Sequence, residues 1–109
     1  MKVIVTPKVY KYLENLVITL FENEYFGFED AARRYVDNLY SDIINNLPFC
    51  VKKPAPAYFH KYGKGLYYAV FPKNKRTQWY AFFKIYRKNG ELYYQVRYIS
   101  NNHAIAQYL

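Results

Sequence analysis

"WYAFFKIYRKNGELYYQVRYI", residues 79–99, decides the fold. Two runs of aromatic and β-branched side chains flank Asn89-Gly90, the pair most favoured at the centre of a two-residue type I′ turn, where both residues need positive φ. The stretch therefore reads as a β-hairpin in which Lys88 faces Glu91. Counting outward from the turn puts Trp79/Ser100, Ala81/Tyr98, Phe83/Val96 and Ile85/Tyr94 on one face. The other face takes Tyr80/Ile99, Phe82/Arg97, Lys84/Gln95 and Tyr86/Tyr93. Side chains alternate with a period of two, so a slip of one residue exchanges the faces. The first set is apolar enough to be a core. The second gathers the mid-strand charges Lys84 and Arg97, and is expected to be an outward, functional surface.

Upstream, "KVIV" reads as a short strand, and "TPK" supplies an N-cap at Thr6 with Pro7 at the first helical position. Val9, Leu13, Leu16, Val17 and Leu20 then recur at helical spacing. "EYFGFED" interrupts the pattern at Gly27. A second helix follows, with an apolar stripe of Phe28, Ala32, Tyr35, Val36, Leu39, Ile43 and Leu47, carboxylates Glu29 and Asp30 in its first turn, and a stop at Pro48. Residues 50–64 contain two prolines and read as an extended connection over the surface. The rest is β: "GLYYAVF" (65–71), then the hairpin strands at 77–86 and 91–100. The order β-α-α-β-β-β predicts a single α+β domain over residues 1–109. Its two-helix hairpin should pack on one face of a small, mainly antiparallel sheet.

The composition narrows the setting. Cys50 is the only cysteine, which excludes an internal disulfide or a cysteine metal cluster and suggests a reducing compartment. After Met1 and Lys2 the apolar run "VIV" is too short for a secretory leader, and no stretch is long enough to cross a bilayer. A cytoplasmic protein without membrane partners is expected. The charge is unevenly placed. Residues 1–47 hold five Lys/Arg against seven Asp/Glu, whereas residues 48–109 hold eleven against Glu91 alone. Sixteen of the 24 aromatic residues also follow residue 47. A basic, aromatic half points to a polyanionic partner. No glycine-rich phosphate loop, nucleophile elbow or Cys/His metal spacing occurs, so neither cofactor nor metal is expected.

Three segments resemble the RelE/ParE superfamily of type II toxin–antitoxin toxins. "AARRYVDNLYSDIINNLP" is similar to the family's second helix, and "KRTQWYAFFKIYRKNGELYYQVRYI" to its central hairpin with a preceding basic loop. "NNHAIAQYL" resembles the common ending, a histidine with a tyrosine five residues later, here His103 and Tyr108. The resemblance implies a partner antitoxin and one of two activities. RelE-like members are metal-independent endoribonucleases that cut mRNA on the ribosome; ParE-like members inhibit DNA gyrase without cutting a bond themselves. A remnant that keeps only its partner-binding surface is a third alternative.

Cleavage by a ribose 2′-OH needs a base, positive charge for the phosphorane oxygens and an acid for the leaving oxygen. Arg97, set outward by the register, suits bidentate contact with phosphate, and Lys84 is its diagonal neighbour. His103 is a candidate acid or base, since histidine is the side chain whose ordinary pKa is nearest neutrality, and Tyr108 can stack on a base or position the phosphate. These four are the candidate catalytic residues. Lys73, Lys75 and Arg76 form a basic loop suited to backbone phosphates, while Tyr80, Phe82, Tyr86 and Tyr93 offer outer-face rings for bases or for an antitoxin. His60 has no evident partner in the sequence. Glu91 is the only carboxylate after residue 47 and sits at the turn, so no glutamate base is expected within the sheet.

Overall fold

The computed structural model describes residues 1–23 and 27–109, so residues 24–26 of the "EYFGFED" interruption lie outside the described residues. Strand β1 (Lys2–Val5) leads into helix α1 (Pro7–Glu22), then α2 (Glu29–Asn46) and a 3-10 turn at Leu47–Phe49. A two-residue strand β2 (Lys53–Pro54) and a 3-10 helix (Ala57–Tyr62) precede β3 (Tyr67–Pro72), β4 (Gln78–Lys88) and β5 (Glu91–Asn101). The chain ends in a short helix α3 (Asn102–Ile105) and a last turn at Ala106–Tyr108. The five strands form one sheet in the order β1-β5-β4-β3-β2, with β1 parallel to β5 and every other pair antiparallel.

Local chemistry sets the helix limits. The Thr6 hydroxyl accepts the Val9 N–H at 3.3 Å, and Pro7 starts α1 where its missing N–H has no partner to lose. Val9, Leu13, Leu16 and Val17 face inward from α1, and Ala32, Val36, Leu39 and Ile43 from α2. Phe28 departs from the expected stripe: it caps α2 through its backbone and leaves its side chain 78% exposed. The helices cover Trp79, Ala81, Phe83, Val96 and Ile99 on one sheet face. The Trp79 indole donates to the Tyr35 hydroxyl at 2.9 Å, which satisfies the polar edge of the largest buried side chain.

The hairpin turn forms as the sequence predicts, with Asn89 at φ 52° and Gly90 at φ 79°. Its register holds from Lys88/Glu91 to Phe83/Val96 and then shifts. A β-bulge leaves Arg97 without a partner, so that Phe82 faces Tyr98, Ala81 faces Ile99, Tyr80 faces Ser100 and Trp79 faces Asn101. The expected pairs Phe82/Arg97, Ala81/Tyr98, Tyr80/Ile99 and Trp79/Ser100 are thereby corrected. One extra residue reverses the alternation beyond it. Ile99 enters the helix-side core at 2% exposure, and Tyr98 turns to the opposite face.

That opposite face is itself largely covered. Phe59, Leu66, Tyr80, Phe82 and Ile105 form a second core, with Ala55, Tyr62, Tyr68, Val70 and Tyr98 packed around it. Phe59 is fully buried, and its ring stacks on Phe82 with centroids 4.3 Å apart. Residues 55–66 are therefore a cover rather than a surface connection. The 3-10 helix brings Phe59 and Tyr62, three residues apart, onto one side. The Ala55 N–H bond to the Leu66 carbonyl, 2.9 Å, closes the segment against β3. The result is three layers: helices, sheet, and a thin cover reinforced by the C-terminal turn.

Candidate nucleic-acid interface

The cover stops short of the hairpin end. There the second sheet face stays open, with Lys84 opposite Gln95 and Tyr86 opposite Tyr93. Lys84 is exposed, and the two tyrosine rings stack at 5.3 Å with planes 15° apart. On the neighbouring strand Lys2 and Ile4 stand beside Tyr93 and Gln95. Arg97 sits at the boundary between the open and covered parts, on the bulge. Bulges re-aim side chains: Arg97 is left out of the paired register, and its guanidinium lies by Gln95 and Gly63.

Two contacts fix that side chain. Its Nε donates to Gln95 Oε1 at 3.0 Å. The guanidinium also crosses Gly63, where an added Cβ would lie 2.5 Å from Nη1, and where φ is +136°. The backbone conformation requires glycine, and a Cβ there would push the guanidinium out of its place. The far side of the guanidinium lines an open groove of about 400 Å³ with Thr6, Pro7, Lys8, Lys61 and Tyr62. The first turn of α1 also opens here, so the positive end of its dipole adds to Lys8, Lys61 and Arg97. None of these lining residues is a carboxylate. Glu91, the one carboxylate of the hairpin, is ion-paired with the Met1 ammonium at 3.1 Å near the turn.

Aromatic rings hold the groove's wall in place. Tyr62 stacks on Tyr98 at 3.9 Å, with planes 8° apart. Burial, followed by the hydrogen bond to Tyr98, pushes the Tyr62 phenol up to about 12. Tyr12 on α1, though 37% exposed as a whole, is pushed up to about 12, first by desolvation of its hydroxyl and then by Tyr98. Lys61 Nζ lies 4.1 Å from the Tyr58 ring centroid and 5.6 Å from that of Tyr62. Its hydrogen bond lowers the Tyr58 phenol from the ordinary tyrosine value, and Tyr108 assists.

The expected site residues divide into separate groups. Arg97, Lys84, Tyr86 and Tyr93 share the open face. Tyr80 and Phe82, at 7% and 0% exposure, belong to the second core and have no free ring face there. Tyr108 stacks on Tyr58 at 3.7 Å and thereby reaches Lys61 rather than Arg97 directly. His103 is elsewhere. Its Nε2 lies 3.2 Å from Thr77 Oγ1, and the adjacent Asn102 accepts the Gln78 N–H at 2.8 Å and donates to the Arg76 carbonyl at 3.0 Å. His103 thus belongs with the Lys73–Arg76 loop, where Asn74 Oδ1 accepts the Arg76 and Thr77 N–H groups and Lys73 lies 5.5 Å from the Tyr35 ring centroid. From Thr77 to the bulge is roughly 17 Å along β4 at the usual strand rise. One phosphate cannot touch both His103 and Arg97 across that span.

Lys8, Tyr58, Lys61, Tyr62 and Gly63 are site residues that sequence reasoning missed. The alternation of aromatic and basic residues in "YFHKYGK" was the available signal. Among the described residues no three His, Cys, Asp or Glu side chains gather to hold a metal ion, and no helix is long and apolar enough to cross a membrane. No family model, curated protein or solved structure matches the chain.

Proposed function

We propose that the chain is a toxin of a type II toxin–antitoxin module, similar in kind to the RelE/ParE toxins. It grips single-stranded RNA along the lane from Lys84 through Arg97 to Lys61 and Lys8, and a partner antitoxin neutralises it by covering that lane. The carrying observation is Arg97, taken out of the strand ladder by the bulge and held by Gln95 and Gly63 beside two lysines in a groove whose lining holds no carboxylate. Such cations bind backbone phosphates without sequence preference and more weakly as salt rises. The stacked Tyr86/Tyr93 pair beside them offers a plane for a base, worth about 1–3 kcal/mol. On the ribosome in the cytoplasm, water takes the 2′-OH proton as the 2′-oxygen bonds to phosphorus, Arg97 and Lys61 neutralise the phosphorane oxygens, and the bond to the 5′-oxygen breaks as solvent protonates it, leaving a 2′,3′-cyclic phosphate. No metal takes part.

One observation favours a second reading, inhibition of DNA gyrase by contact. His103 is held at Thr77 and Glu91 at the Met1 ammonium, so neither of these two groups stands beside Arg97 as a base. Expression without the antitoxin separates the two. The ribonuclease reading expects growth arrest with mRNA cut at reading-frame positions, abolished by Arg97→Ala. Arrest with intact mRNA and loss of supercoiling by purified protein would reject cleavage. Normal growth would reject both.

A further inference from the structure

The opposite edge of the sheet carries a second surface. Phe49 and Val51 are 76% and 81% exposed, unusual for large apolar residues two apart. Val51 lines a groove of about 270 Å³ with Cys50, Lys53, Tyr68 and Val70. β2 pairs with β3 only at Lys53/Tyr68 and Pro54/Tyr67. Two backbone bonds fix which β3 groups face outward. Ala55 donates to the Leu66 carbonyl, so alternate residues from Leu66, namely Tyr68, Val70 and Pro72, direct their backbone toward the β2 side. Lys73 donates to the Thr77 carbonyl, so the alternate set Tyr67, Ala69 and Phe71 faces β4. Beyond the end of β2, the Val70 N–H and carbonyl and the Pro72 carbonyl are directed to the β2 side, where the groove separates Val70 from Val51. Pro72 has no N–H, so the edge can extend no further as a ladder.

We propose that this edge docks an extended, acidic segment of a partner protein. One residue of the segment exchanges backbone bonds with Val70, its apolar side chain enters the groove between Val51 and Val70, and flanking carboxylates meet Lys53 and Lys52. Charge selects the occupant. A second copy would bring Lys52 and Lys53 of both chains together on a protein of net charge +8, which disfavours self-pairing. The surface is distinct from the groove at Arg97: the two share no lining residue, and they lie toward opposite edges of the sheet.

The test uses the full chain, isotope-labelled for NMR, and a short synthetic peptide with a central leucine, a threonine on each side and two acidic residues at each end. Saturable shifts at the Val51, Tyr68 and Val70 amides are expected. Val51→Ser, a substitution at an exposed site, should weaken binding about fivefold through loss of apolar contact. Bound single-stranded RNA should leave the affinity unchanged. No saturable shift up to about 1 mM peptide, equal binding by the peptide with lysines for its acids, shifts confined to other residues, or concentration-dependent self-association through these amides would each overturn the proposal. Because RNA binding is read separately, failure here leaves the RNA reading standing.

Discussion

Arg97 is the residue on which the account turns, and its neighbours make its role separable from folding. The side chain is partly exposed, so Arg97→Ala should leave the thermal midpoint nearly unchanged. It should weaken RNA binding by about 1.5–3 kcal/mol, the range for hydrogen bonds to a charged group. Gly63→Ala acts on the same guanidinium from below. It strains a φ of +136° and meets Nη1, so a loss of about 1 kcal/mol or more in stability is expected together with weaker RNA binding. Tyr62 supplies a pH test. Its native phenol titrates at about 12, above the ordinary tyrosine value near 10, so the folded state holds that proton more tightly than the unfolded chain. The stabilisation is complete below pH 10 and is lost as pH rises toward 12. Denaturant melts across that window should fall less steeply for Tyr62→Phe than for the wild type.

At the scale of elements, the bulge and the cover do the positioning. Deleting Arg97 removes the unpaired residue and lets Val96 and Tyr98 follow one another in a regular ladder. The protein should then remain folded by circular dichroism while RNA binding is lost, which a substitution alone cannot demonstrate. Phe59→Ala opens the second core and should cost about 3–5 kcal/mol in denaturant unfolding. These two elements are also where sequence reading fell short. Asn89-Gly90 announced its turn, Thr6-Pro7 its helix start, and the apolar spacing of both helices their inward faces. A bulge has no such marker: "QVRYI" keeps the same composition whether or not Arg97 is skipped, and only the packing of Ile99 against the helices selects the shift. In the cover, the prolines suggested a linker. The Phe59, Tyr62 and Leu66 spacing, which does mark an apolar side, was masked by the tyrosines and lysines between. The open half of the face was legible through Lys84, Tyr86, Tyr93 and Arg97. The groove was not, since Lys8 and Lys61 reach it only after the cover folds back.

For the whole molecule, the split between a mildly acidic helical layer and a basic β layer becomes a directional field. The lane's cations run from Lys84 on the central strand β4 to Lys8 beside the β1 edge, and the apolar groove lies at the opposite β2/β3 edge. The central claim is that the lane from Lys84 to Lys8 binds backbone phosphate with Arg97 at its centre. Fluorescence anisotropy of a labelled oligouridine, titrated over a range of salt, tests it most directly. Four phosphates neutralised by Lys84, Arg97, Lys61 and Lys8 predict a slope of log K against log salt of about −3 for a single strand. Arg97→Ala should shallow the slope by about 0.7, and His103→Ala should leave it unaltered. A slope near zero, or a loss on His103→Ala with none on Arg97→Ala, would contradict the account.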